Sequence, residues 1–196
     1  MSTVQVGGRD LVMLLIGLGE GDRLDSSLGG ITRLQKYLFL LDREVGIRAG
    51  GEGFQFEPYK AGPYAPRLYD DLEFLENLGL LRSQVTAELT EEDVVELESL
   101  TFDNLLGENR PDDQEVQAAD AYEERRYCLT EKGMARVREL LASPEYEPVV
   151  DGIRRVKSRY AKHSLSDLLY HVYTKYPEMA TESDIREKVL RRGRSG

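Results

Sequence analysis

Apolar residues return at helical spacing along most of the chain. Leu11, Leu14, Leu15 and Leu18 predict a short buried helix over 9–19, stopped by Gly19 and Gly21. Ile31, Leu34, Leu38, Leu41 and Val45 keep the 3.6-residue period and predict a second helix over 31–45, ended by Gly46, with Arg33, Lys36 and Arg43 on its other side. Leu68, Leu72, Leu75 and Leu78, supported by Tyr69, predict a third over 65–78 that closes at Gly79. Pro66 suits its first turn, where a missing N–H costs little. Met134, Val137, Leu140 and Leu141 predict a fourth over 131–142, with Thr130 as N-cap.

The period drops to two in only a few places. Phe54 and Phe56 alternate with Gln55 and Glu57, the pattern of a short strand with its rings on one side, and Gly62 with Pro63 predicts a turn. Residues 80–87 and 125–129 have strand character and flank a long polar segment, which reads as a hairpin with an enlarged tip.

Beyond residue 142 the pattern is helical again. Val149, Ile153, Val156 and Tyr160 form one apolar stripe. Ser164 with Asp167 is a variant of the capping box, and it opens a segment in which Leu165, Leu168, Leu169, Val172, Tyr173 and Tyr176 make a broad buried face ending at Pro177. Thr181 and Asp184 repeat the cap for a last helix reaching about 190, followed by a frayed basic tail.

The predicted fold is therefore mainly α with a small β-hairpin, an α+β class. Three helices, a hairpin and a further helix follow the order of a winged helix-turn-helix core, here with a C-terminal helical lobe. The corresponding division is 1–142 for the winged-helix-like domain, carrying an acidic insertion at 88–124, and 143–196 for the helical extension.

Charge sharpens this division. Residues 88–124 hold fourteen acids and one base, Arg110, a local charge of -13 against -10 for the whole chain, so the remaining residues carry +3. An acidic run with few aromatics reads as a solvated loop, or as an acidic nucleic-acid mimic or a docking arm for a basic partner. The rest of the composition excludes more than it suggests. Cys128 is the only cysteine and His163 and His171 the only histidines, too few for a structural zinc or a histidine-based triad. No phosphate-cradling glycine motif is present, since Gly50, Gly51 and Gly53 lack the Lys-Ser/Thr that follows one. The expectation is a protein that is not an enzyme and needs no cofactor or metal. The most apolar run is far shorter than the ~20 residues of a spanning helix, and no basic secretory leader precedes it, so a cytoplasmic protein without a membrane segment is expected.

Three phrases are more distinctive: Leu34-Gln35-Lys36-Tyr37-Leu38-Phe39, Phe54-Gln55-Phe56, and Tyr59-Lys60-Ala61-Gly62-Pro63-Tyr64. Together they resemble the Panacea antitoxin-like domain and a neighbouring group of winged-helix-like prokaryotic proteins, in which a lysine-containing helix precedes an aromatic strand and a Tyr/Trp-x-x-Gly-Pro turn. The likeness covers about 30–82 well and 125–180 loosely, and leaves out the acidic insertion. It implies a regulatory, partner-binding role.

Two surfaces become candidates. Lys36, Tyr59, Lys60, Gly62, Pro63, Tyr64 and Arg67 would line a groove that accepts a partner protein, as in an antitoxin-like or accessory factor. The alternative is a homodimeric transcriptional regulator that grips double-stranded DNA through Arg154, Arg155, Lys157, Arg159 and Lys162, five cations without an acid between them. The third helix argues against base reading, because Arg67 stands against Asp70, Asp71, Glu73 and Glu76.

Overall fold

The computed structural model describes residues 4–19, 23–24, 27–51, 53–85 and 125–192. The acidic insertion at 88–124 and the basic tail past Arg192 lie outside the described residues. Strand β1 (Val4–Val6) precedes helix α1 (Gly8–Gly17), and β2 (Ser27–Gly29) leads into α2 (Ile31–Leu40). The second helix continues as a π-helical turn, Leu41–Val45, before β3 (Ile47–Ala49). A hairpin of β4 (Glu57–Tyr59) and β5 (Gly62–Tyr64) is followed by α3 (Arg67–Asn77), β6 (Leu81–Val85) and β7 (Arg125–Leu129). Helices α4 (Glu131–Ala142), α5 (Glu147–Tyr160), α6 (Leu165–Lys175) and α7 (Arg186–Arg192) complete the described chain, which is α+β with helices predominant.

Its strands form three small sheets. The largest has the order β2-β7-β6, all antiparallel, with Leu28 opposite Tyr127 and Tyr127 opposite Ser83. Strand β1 runs parallel to β3, pairing Val4 with Ile47 and Val6 with Ala49. A parallel pair needs a long crossover, and this one carries α1, β2 and α2 between its strands.

Helix α1 lies at the centre. Every residue of its sequence from Leu11 to Gly17 is buried, so a helix apolar on all sides sits against α3, α4, α5 and β7. Gly17 marks its closest approach, since a Cβ there would stand 3.0 Å from both Leu129 and Val137. The apolar cluster is continuous from α1 and α2 into α5 and α6, whose Ile153, Val156, Leu168 and Val172 are as buried as Leu14 or Phe39. Burying a leucine-sized side chain contributes about 1.5–3 kcal/mol, so the C-terminal helices contribute to the core as heavily as the N-terminal ones.

Several expectations are met closely. Thr130 accepts the Gly133 N–H at 3.1 Å as the cap of α4. Ser164 and Asp167 form both arms of a capping box on α6. Others are corrected. The strand expected at Phe54 and Phe56 begins only at Glu57, because Gln55 has φ 45° and left-handed backbone cannot continue a pleated strand. Gly62 and Pro63 are not the turn but the first residues of β5, with Tyr59 opposite Gly62 and the reversal made by Lys60 and Ala61. Tyr69 and Leu78 leave the stripe of α3: the buried residues are Leu68, Asp71, Leu72 and Leu75, and Leu78 is already the C-cap. Thr181 does not open the last helix, since its hydroxyl donates back to the Glu178 carbonyl and the helix starts at Arg186. Between α1 and α2, where no apolar period is found, the chain forms β2. Among the described residues no helix is long and apolar enough to cross a membrane.

Candidate functional site

The aromatic Gly-Pro segment becomes a hairpin docked against α2. Lys36, expected beside a groove, is interior: it is 2% exposed and donates from Nζ to the Pro63 carbonyl at 2.9 Å. Burial pulls its amine from 10.5 down to about 7. Next to it, the Gln35 Oε1 accepts the Ala65 N–H at 3.3 Å, so two successive side chains of one helix hold the end of β5. Gly62 and Pro63 are buried as well, and a Cβ on Gly62 would come 2.6 Å from Tyr173 Cε1. Lys36, Gly62 and Pro63 therefore come together as predicted, but as the anchor of the hairpin and not as its surface.

The outer side of the hairpin keeps the other expected residues. Tyr59 and Lys60 are exposed, Tyr64 is half-buried, and Arg67 is exposed with one N–H donated to the Gly53 carbonyl at 3.2 Å. Tyr59 packs on Tyr64 at 4.6 Å between ring centroids, and Tyr64 on Tyr69 at 5.8 Å, a row of three rings that carries the hairpin surface onto α3. Further along α3, Phe74 and Leu78 are exposed. The Arg9 guanidinium lies 3.5 Å from the centroid of the Phe74 ring while its Nε bonds Asp71 Oδ1 at 2.9 Å. Asp71 is thus a buried anchor, and the acids α3 presents to solvent are Asp70 and Glu73, with Glu76 half-buried. Tyr69, Phe74 and Leu78 did not enter the sequence-based site. Part of their signal was available, because Tyr69 and Phe74 depart from the spacing of the buried Leu68, Leu72 and Leu75, whereas Leu78 keeps it and is exposed because α3 ends there.

The five cations of α5 and the turn after it divide. Lys157 is buried and donates to the Leu18 carbonyl, joining α5 to the end of α1. Arg159 pairs with Glu44 at 2.8 Å. Arg154 is half-buried within 4.0 Å of Asp151, and Arg155 donates to the Asp151 carbonyl. Lys162 is exposed.

Glu44 gathers the densest polar cluster among the described residues. Its side chain is only 4% exposed and meets Lys175 Nζ at 2.6 Å, Arg159 at 2.8 Å, the Tyr160 hydroxyl at 2.9 Å and His171 Nε2 at 3.1 Å. Burial alone would raise the carboxyl, yet hydrogen bonds from Lys175, His171 and Tyr160 outweigh it and hold the group at about 2. Burial and the Glu44 bond push the Tyr160 phenol in the opposite direction, upward. The cluster ties the π turn to α5 and α6. Cys128 is buried, with Sγ 3.7 Å from Gln84 Oε1. No family model matches the chain, and no curated protein matches it.

Proposed function

We propose that the protein is a non-enzymatic, cytoplasmic regulatory module with a winged-helix core, and that it binds a protein partner through α3 and the β4-β5 hairpin, as an antitoxin-like or accessory factor would. The winged-helix part of this reading is supported by element order together with sheet order: a strand between the first two helices, β2, pairs with the outgoing strand β7 of the β6-β7 hairpin that follows α3.

The observation that carries the partner reading is where apolar surface is exposed. Of the five large hydrophobic side chains most open to solvent among the described residues, Tyr59, Tyr69, Phe74 and Leu78 all lie on the hairpin or on α3 and its C-cap. Tyr59, Tyr64 and Tyr69 form one aromatic row, and Phe74 and Leu78 add apolar surface further along α3; exposed aromatics beside charge are the composition of an interface. The rim here carries both signs, Glu57, Asp70 and Glu73 beside Lys60, Arg67 and Arg9, so the complementary partner offers an apolar pocket edged with charges of both signs. The same acids disfavour duplex DNA at α3, where a winged helix would meet the major groove. In the basic segment Lys157 and Arg159 are already committed within the fold.

The test is site-directed photo-crosslinking from position 69 or 74 in cells, with position 155 as control, followed by purification of the captured protein and direct titration. A genuine partner binds the purified chain, weakens as salt rises, and loses about tenfold or more in affinity to the pair Tyr69→Ala and Phe74→Ala. Binding indifferent to that pair would sink the proposal. So would submicromolar affinity for mixed-sequence duplex that falls steeply between ~50 and ~200 mM salt, which would move the chain to the DNA-binding alternative.

A further inference from the structure

We propose that Arg9 is the residue by which the partner surface selects its occupant: it receives a glutamate or aspartate side chain of the partner, while an apolar neighbour of that acid packs on Phe74 and Leu78. The inference rests on the partner-binding reading and names the chemistry that surface takes.

Arg9 stands in the first turn of α1 and reaches across to α3, where its guanidinium is held in two ways. It lies 3.5 Å from the centroid of the Phe74 ring, and its Nε donates to Asp71 Oδ1 at 2.9 Å. Asp71 is buried, and its other oxygen has no hydrogen-bond partner among the described residues, so this carboxylate holds Arg9 from beneath the surface. Gly8 permits the approach of α1 to α3, since a Cβ there would stand 3.1 Å from Asp71 Oδ2.

With Nε taken and the ring stacked, the Nη1–Nη2 edge is the one that can make two parallel bonds to a carboxylate. The Arg9 side chain is 47% exposed, so a ligand can reach it. A long side chain in solvent loses rotamer freedom when it pairs. Phe74 and Asp71 have already restricted Arg9, which lowers the ordering cost of receiving a second acid. Arginines so placed among aromatic residues are the kind that dominate binding energy at interfaces. A lysine at this position would offer neither the stack nor the fork.

The neighbours of Arg9 define which anion fits. Phe74 and Leu78 are both exposed and lie one turn apart on α3, so the anion must arrive on a body that brings apolar surface with it. A phosphate backbone does not meet that requirement, and its run of charges would also meet Asp70 and Glu73 on the same helix. One acidic side chain beside a leucine, isoleucine or phenylalanine does.

The experiment selects a randomised dodecapeptide library on the full chain, displayed on phage with each peptide's C-terminus fused so that the acids offered are side chains. Peptides whose binding is lost on Phe74→Ala are synthesised and titrated by fluorescence anisotropy. They are expected to share an aspartate or glutamate next to an apolar residue. Replacing that acid in the peptide by its amide should weaken binding to the wild type about tenfold and leave binding to Arg9→Gln unchanged, the signature of a direct pair. The peptide change alone carries the result even if Arg9→Gln impairs folding. Arg9→Lys should lose most of the same affinity. Phe74-dependent peptides that lack an acid, or whose amide form binds the wild type equally well, would overturn the role of Arg9 and leave the partner surface standing. A library that yields no Phe74-dependent peptide would overturn both. Duplex DNA binding that is lost in Arg9→Gln would overturn the proposal in favour of a phosphate ligand.

Discussion

Lys36 and Pro63 stand 27 residues apart, and the Nζ of the first donates to the carbonyl of the second at 2.9 Å inside the protein. This bond fastens the β4-β5 hairpin to α2. With Gln35 on Ala65 and Tyr173 against Gly62, it presents Tyr59 and Tyr64 outward in line with Tyr69 on α3.

A buried amine near 7 makes stability depend on pH in a stated direction. Between about 7 and 10.5 the unfolded chain binds a proton that the folded chain does not, so stability rises with pH across that window and is lowest below it, where the buried amine must be charged. Urea midpoints of the wild type should climb from pH 6.5 to 9.5. Those of Lys36→Met should be nearly flat over the same range, and equal slopes would show that Lys36 is not the responsible group.

Gly62 is irreplaceable for two independent reasons. Its φ of 83° is unfavourable for any residue with a side chain, and a Cβ would press on the Tyr173 ring at 2.6 Å. Gly62→Ala should cost about 1–3 kcal/mol, read as a lower thermal midpoint by calorimetry. An unchanged midpoint would mean the hairpin is not held against α6.

Glu44 governs the acid limb. Its folded carboxyl sits near 2 against an ordinary 4.5, so the stability it contributes is complete above about 4.5 and is lost as pH falls toward 2. Glu44→Gln should flatten that part of a thermal midpoint curve. At neutral pH the cost should be about 1 kcal/mol, since Arg159 and Lys175 are largely exposed and solvent screens their charge.

The joint between the wing strands and α4 rests on one hydroxyl. Thr130 Oγ1 accepts the Gly133 N–H and donates to the Gly79 carbonyl at 2.7 Å, tying the start of α4 to the end of α3. Thr130→Ala should lower unfolding free energy by about 1 kcal/mol in urea, whereas Thr130→Ser should retain most of it.

The candidate partner surface was half legible. Tyr59, Lys60 and Arg67 are on the outside as their positions beside a turn suggested, and Tyr64 partly so. Lys36 reads as a polar residue on the free side of a helix. Nothing within four residues of it announces that the Pro63 carbonyl will be there to receive it. Lys157 behaves likewise, meeting the Leu18 carbonyl 139 residues away. A long methylene stem lets lysine enter a core where one acceptor is provided, and that acceptor is invisible to local pattern. Tyr69 and Leu78 were hidden for the converse reason: both were credited to the buried stripe, from which Tyr69 is separated by its phase around the helix and Leu78 by the end of the helix.

What the sequence determined by itself was whatever depends on neighbours within about one helical turn. The stripes at Val149, Ile153, Val156 and Tyr160, the Thr130 cap and the Ser164-Asp167 capping box belong to this class, because the interacting groups are three or four residues apart and the helix brings them together. Tertiary structure alone decided the parallel pairing of β1 with β3, the addition of β2 to the β6-β7 hairpin, and the cluster on Glu44. Each depends on groups far apart in the chain that only the folded arrangement brings together. Short strands of three residues carry too little periodicity to show themselves before that contact forms.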